Sequence, residues 1–276
     1  MTRVAVITIA HGRHEHWRVQ CEALARSSRL PDEYVLVTMG DPELAREARA
    51  RGARVIELDT TSAELPLARA RNVGAAAALS AGAHVLIFLD VDCVPGSDLV
   101  RAYTQAATDP STKDHLLSGP VTYLDPPPDG GYDLSRLDEL DRPHPDRPAP
   151  APDENVANGS HDLFWSLSFT VAANTWMRCG GFHEGYVGYG GEDTDFAWTA
   201  RARGIPMTWI GGARAYHQYH SIEAPPRRHR QAIVRNATLF HSRWGSWPMR
   251  GWLDAFVQEG LVSYTDDEGY STAPSV

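Results

Sequence analysis

Residues Val85-Leu86-Ile87-Phe88-Leu89 form a wholly apolar run that stops at two carboxylates, Asp90 and Asp92, one residue apart. Such a run reads as a strand buried on both faces of a parallel sheet, and open α/β sheets bind ligands at the carboxyl ends of such strands. Two carboxylates placed there repel each other unless a cation relieves them, and hard oxygen ligands suit Mn²⁺ or Mg²⁺. The first expectation is a divalent metal holding a phosphate group at Asp90 and Asp92. An isolated Asp-x-Asp also caps turns and helices, so the position after a buried strand carries most of the weight.

The chain around this strand alternates strand-like and helical patterns. Strands are expected over 4–9, 34–38, 54–58 and 85–89, with helices over 15–26, 42–51 and 66–80. This alternation is the mark of βαβ units and a parallel sheet flanked by helices, so the fold class is α/β. From Asp125 to Ser160 the pattern collapses, and eight of the nineteen prolines fall there. A stretch of that length without structure is commonly a lid, an insertion or disorder. Beyond it a strand is expected over 163–173, a glycine-rich turn over 180–191, a helix over 193–203 and a strand over 206–210. Residues 226–256 read as helical with a break at 245–248, and the last dozen residues as a frayed end. The expected organisation is one domain over 1–262, with a nucleotide-binding half (1–92), a metal and acceptor half (93–220) and a C-terminal helical segment (221–262), followed by a tail (263–276).

The net charge of −9 argues against general nucleic-acid or anionic-membrane binding, since both partners are polyanions. Lys113 is the only lysine, which removes most chemistry that needs an amine. Cys21, Cys93 and Cys179 form neither a zinc pattern nor an even disulfide framework. With no apolar run near the roughly eighteen residues of a membrane span and no leader-like start, a soluble cytoplasmic protein is expected.

Three further constellations carry chemistry. Gly180-Gly181-Phe182-His183-Glu184 precedes Gly188-Tyr189-Gly190-Gly191-Glu192-Asp193-Thr194-Asp195. The glycines let backbone approach a ligand, and three carboxylates at a helix start exceed what a cap requires, leaving one available as a general base. Tyr216-His217-Gln218-Tyr219-His220 offers the imidazole nitrogens that a two-aspartate metal site lacks. The loop after the first strand, Ala10-His11-Gly12-Arg13-His14-Glu15-His16-Trp17, together with Arg69, Arg71 and Asn72, lies where a nucleotide would sit. Arginines there can neutralise phosphate, although any one of them is as readily a solvated helix face.

Taken in order, these motifs resemble those of GT-A-fold glycosyltransferases, specifically family 2-like enzymes that share a C-terminal motif with the β-1,4-galactosyltransferases. The signature after the first strand stands here as Arg13-His14-Glu15-His16-Trp17, the metal motif as Asp90-Val91-Asp92, and the Gly-Gly-Phe…Gly-Trp-Gly-Gly-Glu-Asp block as Gly180-Gly181-Phe182…Gly188-Tyr189-Gly190-Gly191-Glu192-Asp193. The resemblance implies a nucleotide-sugar donor, with UDP favoured, bound at Ala10, His11, Arg13, Asp59, Arg71, Asp90, Val91 and Asp92. It implies Mn²⁺ or Mg²⁺ on Asp92 with His217, His220 or both, Asp193 as general base and Glu192 positioning an acceptor hydroxyl on a glycan, glycolipid or small molecule. Inversion at the anomeric carbon would follow. Tyr189 replaces that group's tryptophan and His217 its methionine. Three alternatives stay open: a retaining enzyme of the same fold, a haloacid-dehalogenase-like phosphohydrolase using the Asp-x-Asp as nucleophile and acid, and a nucleotide-sugar-binding module without turnover.

Overall fold

The computed structural model describes residues 1–60, 64–221 and 223–272. The chain runs β1 (Val4–Ala10), α1 (His14–Ala25), β2 (Glu33–Met39), α2 (Pro42–Ala50), β3 (Arg54–Leu58), α3 (Leu67–Ser80) and β4 (Val85–Leu89). It continues through β5 (Cys93–Pro95), α4 (Leu99–Thr108), β6 (Leu116–Ser118), β7 (Val121–Tyr123), β8 (Asn155–Ala157), β9 (Ser168–Ala172), α5 (Ala173–Cys179), α6 (Glu192–Ala202), β10 (Met207–Ile210) and β11 (Ala215–His217). It closes with α7 (Arg230–Trp244), α8 (Arg250–Gln258), β12 (Val262–Thr265) and β13 (Gly269–Thr272).

An eight-stranded sheet has the order β3-β2-β1-β4-β9-β6-β10-β8. The first four strands are parallel, and β9 enters antiparallel between β4 and β6. Alternate side chains leave opposite faces of each strand. Leu86 and Phe88 of β4 therefore join the core under α3 and α6, while Val85, Ile87 and Leu89 join the core under α4. Phe88 stacks on Phe169 with ring centroids 4.5 Å apart, and Phe182 stacks on Phe196 at 4.3 Å. Each such side chain, fully buried, is worth about 1.5–3 kcal/mol. The alanine-rich α3 lies close against the sheet: a Cβ on Gly74 would come within 2.5 Å of Ile7 Cγ2, so only glycine fits there.

Two features of this topology position a site. The strand order reverses between β1 and β4, leaving a crevice beyond their carboxyl ends. Because β9 is antiparallel to β4, its entry segment runs beside the exit of β4, and Asp90 N–H donates to Leu167 O at 2.9 Å. A small second sheet, β5-β11-β7, sits beyond the same edge.

The main differences from expectation lie after β4. The strand expected over 163–173 is shorter, because His161–Leu163 forms a 3₁₀ turn and α5 begins at Ala173. The structureless stretch expected over 125–160 holds a 3₁₀ turn at Leu137–Leu140 and contributes β8 to the sheet edge. Asp141 ties it down by accepting from Thr122 Oγ1 at 2.9 Å and pairing with Arg214 at 2.8 Å. Prolines forbid regular structure without forbidding such side-chain anchoring. The expected frayed end instead contains the β12–β13 hairpin, whose Tyr270 packs with Trp247 and donates to Asp254; 273–276 lie outside the described residues. The helical break at Gly245 is as expected, with φ 66° ending α7. Among the described residues, no helix is long and apolar enough to cross a membrane.

Candidate active site

The loop leaving β1 turns sharply into α1, with Gly12 and Arg13 both at positive φ. Asp41, the N-cap of α2, holds this turn by accepting from Gly12 N–H at 2.8 Å and contacting His14 Nε2 at 3.0 Å. His11 Nδ1 lies 2.6 Å from Met39 O, and its side chain is otherwise exposed. Ala10 and Val91 are buried against Trp17 and Leu36, so only their backbone is available to a ligand. Asp59 is exposed at the end of β3 on the same sheet edge. Sequence reasoning passed over Asp41, although Asp-Pro at a helix start is a recognisable cap signal.

The register of the small sheet brings the metal candidates together. His217 of β11 pairs with Cys93, the residue after Asp92, and Gln218 N–H donates to Asp92 O at 2.7 Å. His217 Nε2 and His220 Nε2 each lie 3.5 Å from an Asp92 carboxylate oxygen, and one ligand atom from each residue falls within 4.8 Å of the others. Burial would raise the Asp92 pKa, but the His220 hydrogen bond and the charges of His217, His220 and Arg13 hold it below the usual carboxylate range. Burial lowers the pKa of His217 and favours its neutral, ligating form. One carboxylate and two imidazoles suit a divalent cation of the Mn²⁺ class, so this donor set fits the implied metal. His16, in α1, approaches the His220 ring at 6.3 Å and contacts Tyr219 O at 3.4 Å.

Asp90 points elsewhere. The buried Arg71 guanidinium of α3 donates to Asp90 at 3.0 Å and to Glu192 at 3.2 Å, and lies 5.3 Å from the Phe182 ring centroid. Burial raises the Asp90 carboxyl to about 6 despite Arg71, and raises Glu192 too, with Asp193 adding to the effect. Gly190 and Gly191 adopt φ near 90°, which L side chains rarely reach, and this turn starts α6 at Glu192. Asp193 follows, accepting from Thr194 N–H at 2.7 Å; burial lifts its pKa above the ordinary value, opposed by that hydrogen bond and by Arg71. Asp195, the third carboxylate of the motif, faces away. It accepts from Tyr186, Arg243 and Trp244 and ties α6 to α7. Asn72 clamps the preceding block, bonding the Phe182 backbone through both its amide atoms. Arg69 is exposed.

Asp90, Glu192 and Asp193 line one cavity of about 580 Å³, within the range of small-molecule sites. Its aromatic wall is Tyr123, Trp165, Tyr189 and Trp252, and Tyr123 stacks on His217 at 4.7 Å, so the cavity adjoins the Asp92–His217–His220 cluster. Sequence reasoning missed Trp165, Trp252 and Met249, which reach the cavity from irregular or C-terminal segments without a motif of their own.

No family model matches the chain. Over 76 residues, 28% of its length, the chain is 37% identical to validoxylamine A glucosyltransferase of Streptomyces hygroscopicus subsp. jinggangensis (strain 5008), and equally so to that of subsp. limoneus. It spans only 17% and 16% of those proteins. Among solved structures, residues 1–349 of S. aureus TarS superpose with a TM-score of 0.54 at 12% identity, covering 86% of this chain and 65% of that one. GalNAc-T7 with UDP, GalNAc and Mn²⁺ gives 0.55 at 12%, covering 95% and 57%. TarS in complex with UDP-GlcNAc gives 0.54 at 11%, covering 86% and 66%. At such identities the likeness concerns fold: the chain has an α/β fold, a mostly parallel mixed sheet flanked by helices, that matches GT-A glycosyltransferases.

Proposed function

We propose that this protein is a metal-dependent glycosyltransferase that moves a sugar from a nucleotide-diphosphate donor, with UDP as the nucleotide, to an acceptor hydroxyl with inversion. The observation that carries this reading is a carboxylate–bis-imidazole cluster beside a cavity bearing Asp193, at the switch point of a GT-A sheet. The short stretch shared with a glucosyltransferase and the nucleotide-sugar and Mn²⁺ complexes of the structural neighbours support it.

In this reading the nucleotide lies along the carboxyl ends of β1 to β4, near Ala10, His11, Arg13, Asp59 and the backbone of Val91. Asp92, His217 and His220 would hold Mn²⁺ or Mg²⁺, which when bound supplies positive charge to the departing diphosphate. Arg71 holds Asp90 and Glu192 in place and keeps their mutual repulsion in check. Asp193 removes the proton of the acceptor hydroxyl, whose oxygen forms the new bond to the anomeric carbon. The bond from that carbon to the phosphate oxygen breaks, and its electron pair leaves with the nucleoside diphosphate. Burial of Asp193 raises its basicity, as a general base requires. Glu192 orients the acceptor, and the aromatic wall excludes water that would otherwise hydrolyse the donor. The phosphohydrolase alternative gains nothing from Asp90, whose carboxylate is engaged by Arg71 rather than poised for attack.

Calorimetric titration with UDP, GDP, dTDP and CDP, each with Mn²⁺ and with chelator, tests the reading. UDP should bind only with metal; Asp92→Ala should abolish that dependence, while Asp193→Asn should bind UDP normally and lower turnover by about 10²–10⁴. Equal UDP affinity with and without Mn²⁺ would refute the metal assignment.

A further inference from the structure

Gln20 of α1 is a polar side chain shut off from solvent, and its bonding runs in two directions. Its amide nitrogen donates to Asp90 O at 2.7 Å and to Cys93 O at 2.9 Å. Its amide oxygen accepts from Thr8 Oγ1 at 2.9 Å and from Tyr34 Oη at 3.0 Å. Backbone carbonyls only accept, so they require the NH₂ end, and the orientation of the amide is fixed. A buried amide is costly unless it is bonded, and this one is bonded at both ends.

The two carbonyls stand at the two ends of one turn. Cys93 N–H donates to Asp90 O at 2.9 Å and closes Asp90–Cys93 as a four-residue turn between β4 and β5. Asp90 and Asp92 hold its first and third positions, and their side chains part there. Asp90 meets Arg71 at 3.0 Å, while Asp92 lies 3.5 Å from His217 and from His220. Rotation of the Asp90–Val91 peptide would re-aim the carboxylates, and Gln20 pins its carbonyl together with that of Cys93. The same helix reaches the other half of the cluster: Gln218 donates from Nε2 to His16 O at 3.0 Å and from its backbone N–H to Asp92 O at 2.7 Å. His16 and Gln20 are about one helical turn apart, so α1 touches both the carboxylate side and the imidazole side.

We propose that Gln20 is a positioning residue for the metal cluster: it holds the Asp90–Cys93 turn in the shape that sends Asp92 to the two histidines and Asp90 to Arg71. Gln20 lies outside the Arg13–Trp17 signature and carries no motif of its own. The proposal rests on the metal reading above for its effect on a cation; the hold on the turn is independent of that reading.

The test titrates the full chain calorimetrically with Mn²⁺, alone and with UDP, and measures urea unfolding alongside. Gln20→Met keeps the side chain's length but removes both donors, and should weaken Mn²⁺ binding about 10- to 100-fold, the usual loss when a group that orients a metal ligand is removed. Tyr34→Phe removes the hydroxyl that bonds Gln20 and Trp17, so it disturbs the same network without touching the turn. It should weaken Mn²⁺ less than about threefold even where it lowers stability as much. Parent-like affinity in Gln20→Met, or equal losses in the two variants, overturns the proposal. Should Gln20→Met not fold, Gln20→Asn, one methylene short of the two carbonyls, replaces it with the same expected ordering.

Amide exchange without metal separates the proposal from the metal reading. The Cys93 and Gln218 N–H groups, bonded to Asp90 O and Asp92 O, should exchange about tenfold faster in Gln20→Met than in Tyr34→Phe. If the parent protein binds no Mn²⁺ in either condition, the metal reading falls and the exchange comparison decides alone: faster exchange sustains the hold on the turn, and equal exchange overturns it.

Discussion

Two carboxylates two residues apart on α6 should respond to neutralisation with opposite signs. Asp195 is 1% exposed and accepts from Arg243 Nε at 2.7 Å, Trp244 Nε1 at 2.7 Å and Tyr186 Oη at 3.1 Å. Hydrogen bonds to a charged partner are worth about 1.5–3 kcal/mol each, but they share one acceptor and Arg243 can rehydrate, so their sum overstates the loss. Removing one partner of a buried charged cluster costs about 3–5 kcal/mol, and Asp195→Ala should fall there, with Asp195→Asn costing roughly half because its amide oxygen still accepts. Asp193 differs: burial raises its folded pKa, so its ionised form costs stability at every pH above the unfolded value of 3.8, and less as pH falls toward it. Asp193→Asn should therefore be neutral or stabilising at neutral pH, and the gain should vanish in acid. Urea unfolding of the variants at neutral and acidic pH reads all of this. An Asp195→Ala cost below about 1 kcal/mol, or an Asp193→Asn protein less stable than the parent at neutral pH, would refute the division of roles.

Other outcomes follow from the same site. Arg71→Met leaves Asp90 and Glu192 side by side without their shared guanidinium; urea unfolding should show a loss of about 3–5 kcal/mol at neutral pH, shrinking as acid protonates the two carboxyls. If Asp193 is the base, kcat should fall on acidification through a pKa above the ordinary carboxylate value, because the base works only unprotonated and burial raises its pKa. A rate still flat down to that ordinary value would exclude Asp193 as the titrating group.

The parts of this molecule legible in the sequence are those where one physical pattern dominates. The Val85–Leu89 run had to be a two-sided buried strand, and Asp90 had to sit at its end. Gly190 and Gly191 announced backbone that other residues avoid, and α6 starts there. What stayed hidden depends on pairing across long separations. That Asp90 and Asp92 part company, one toward Arg71 and one toward His217 and His220, is decided by the register of β11 against β5 and by α3 crossing the sheet. Likewise Asp195 looked equivalent to Asp193, and only the return of α7 gives it Arg243 and Trp244 as partners.

The C-terminal segment shows the same limit with a functional consequence. From composition it was a pair of helices and a loose end. In the fold, Leu253, Phe256, Val262 and Tyr270 build a separate small core with Ile233 and Ala237 of α7. That core fixes the start of α8, where Met249 takes φ 51° and Trp252 reaches the cavity behind Tyr189. A side chain that lines the cavity is thus held by packing more than fifty residues beyond the Glu192–Asp193 pair, and it carries no motif. On the proposed function, chemistry and specificity are therefore separable: the residues around Asp92 and Asp193 would stay constant while changes in α8 or its hairpin re-aim Trp252 and alter the shape of the cavity beside them.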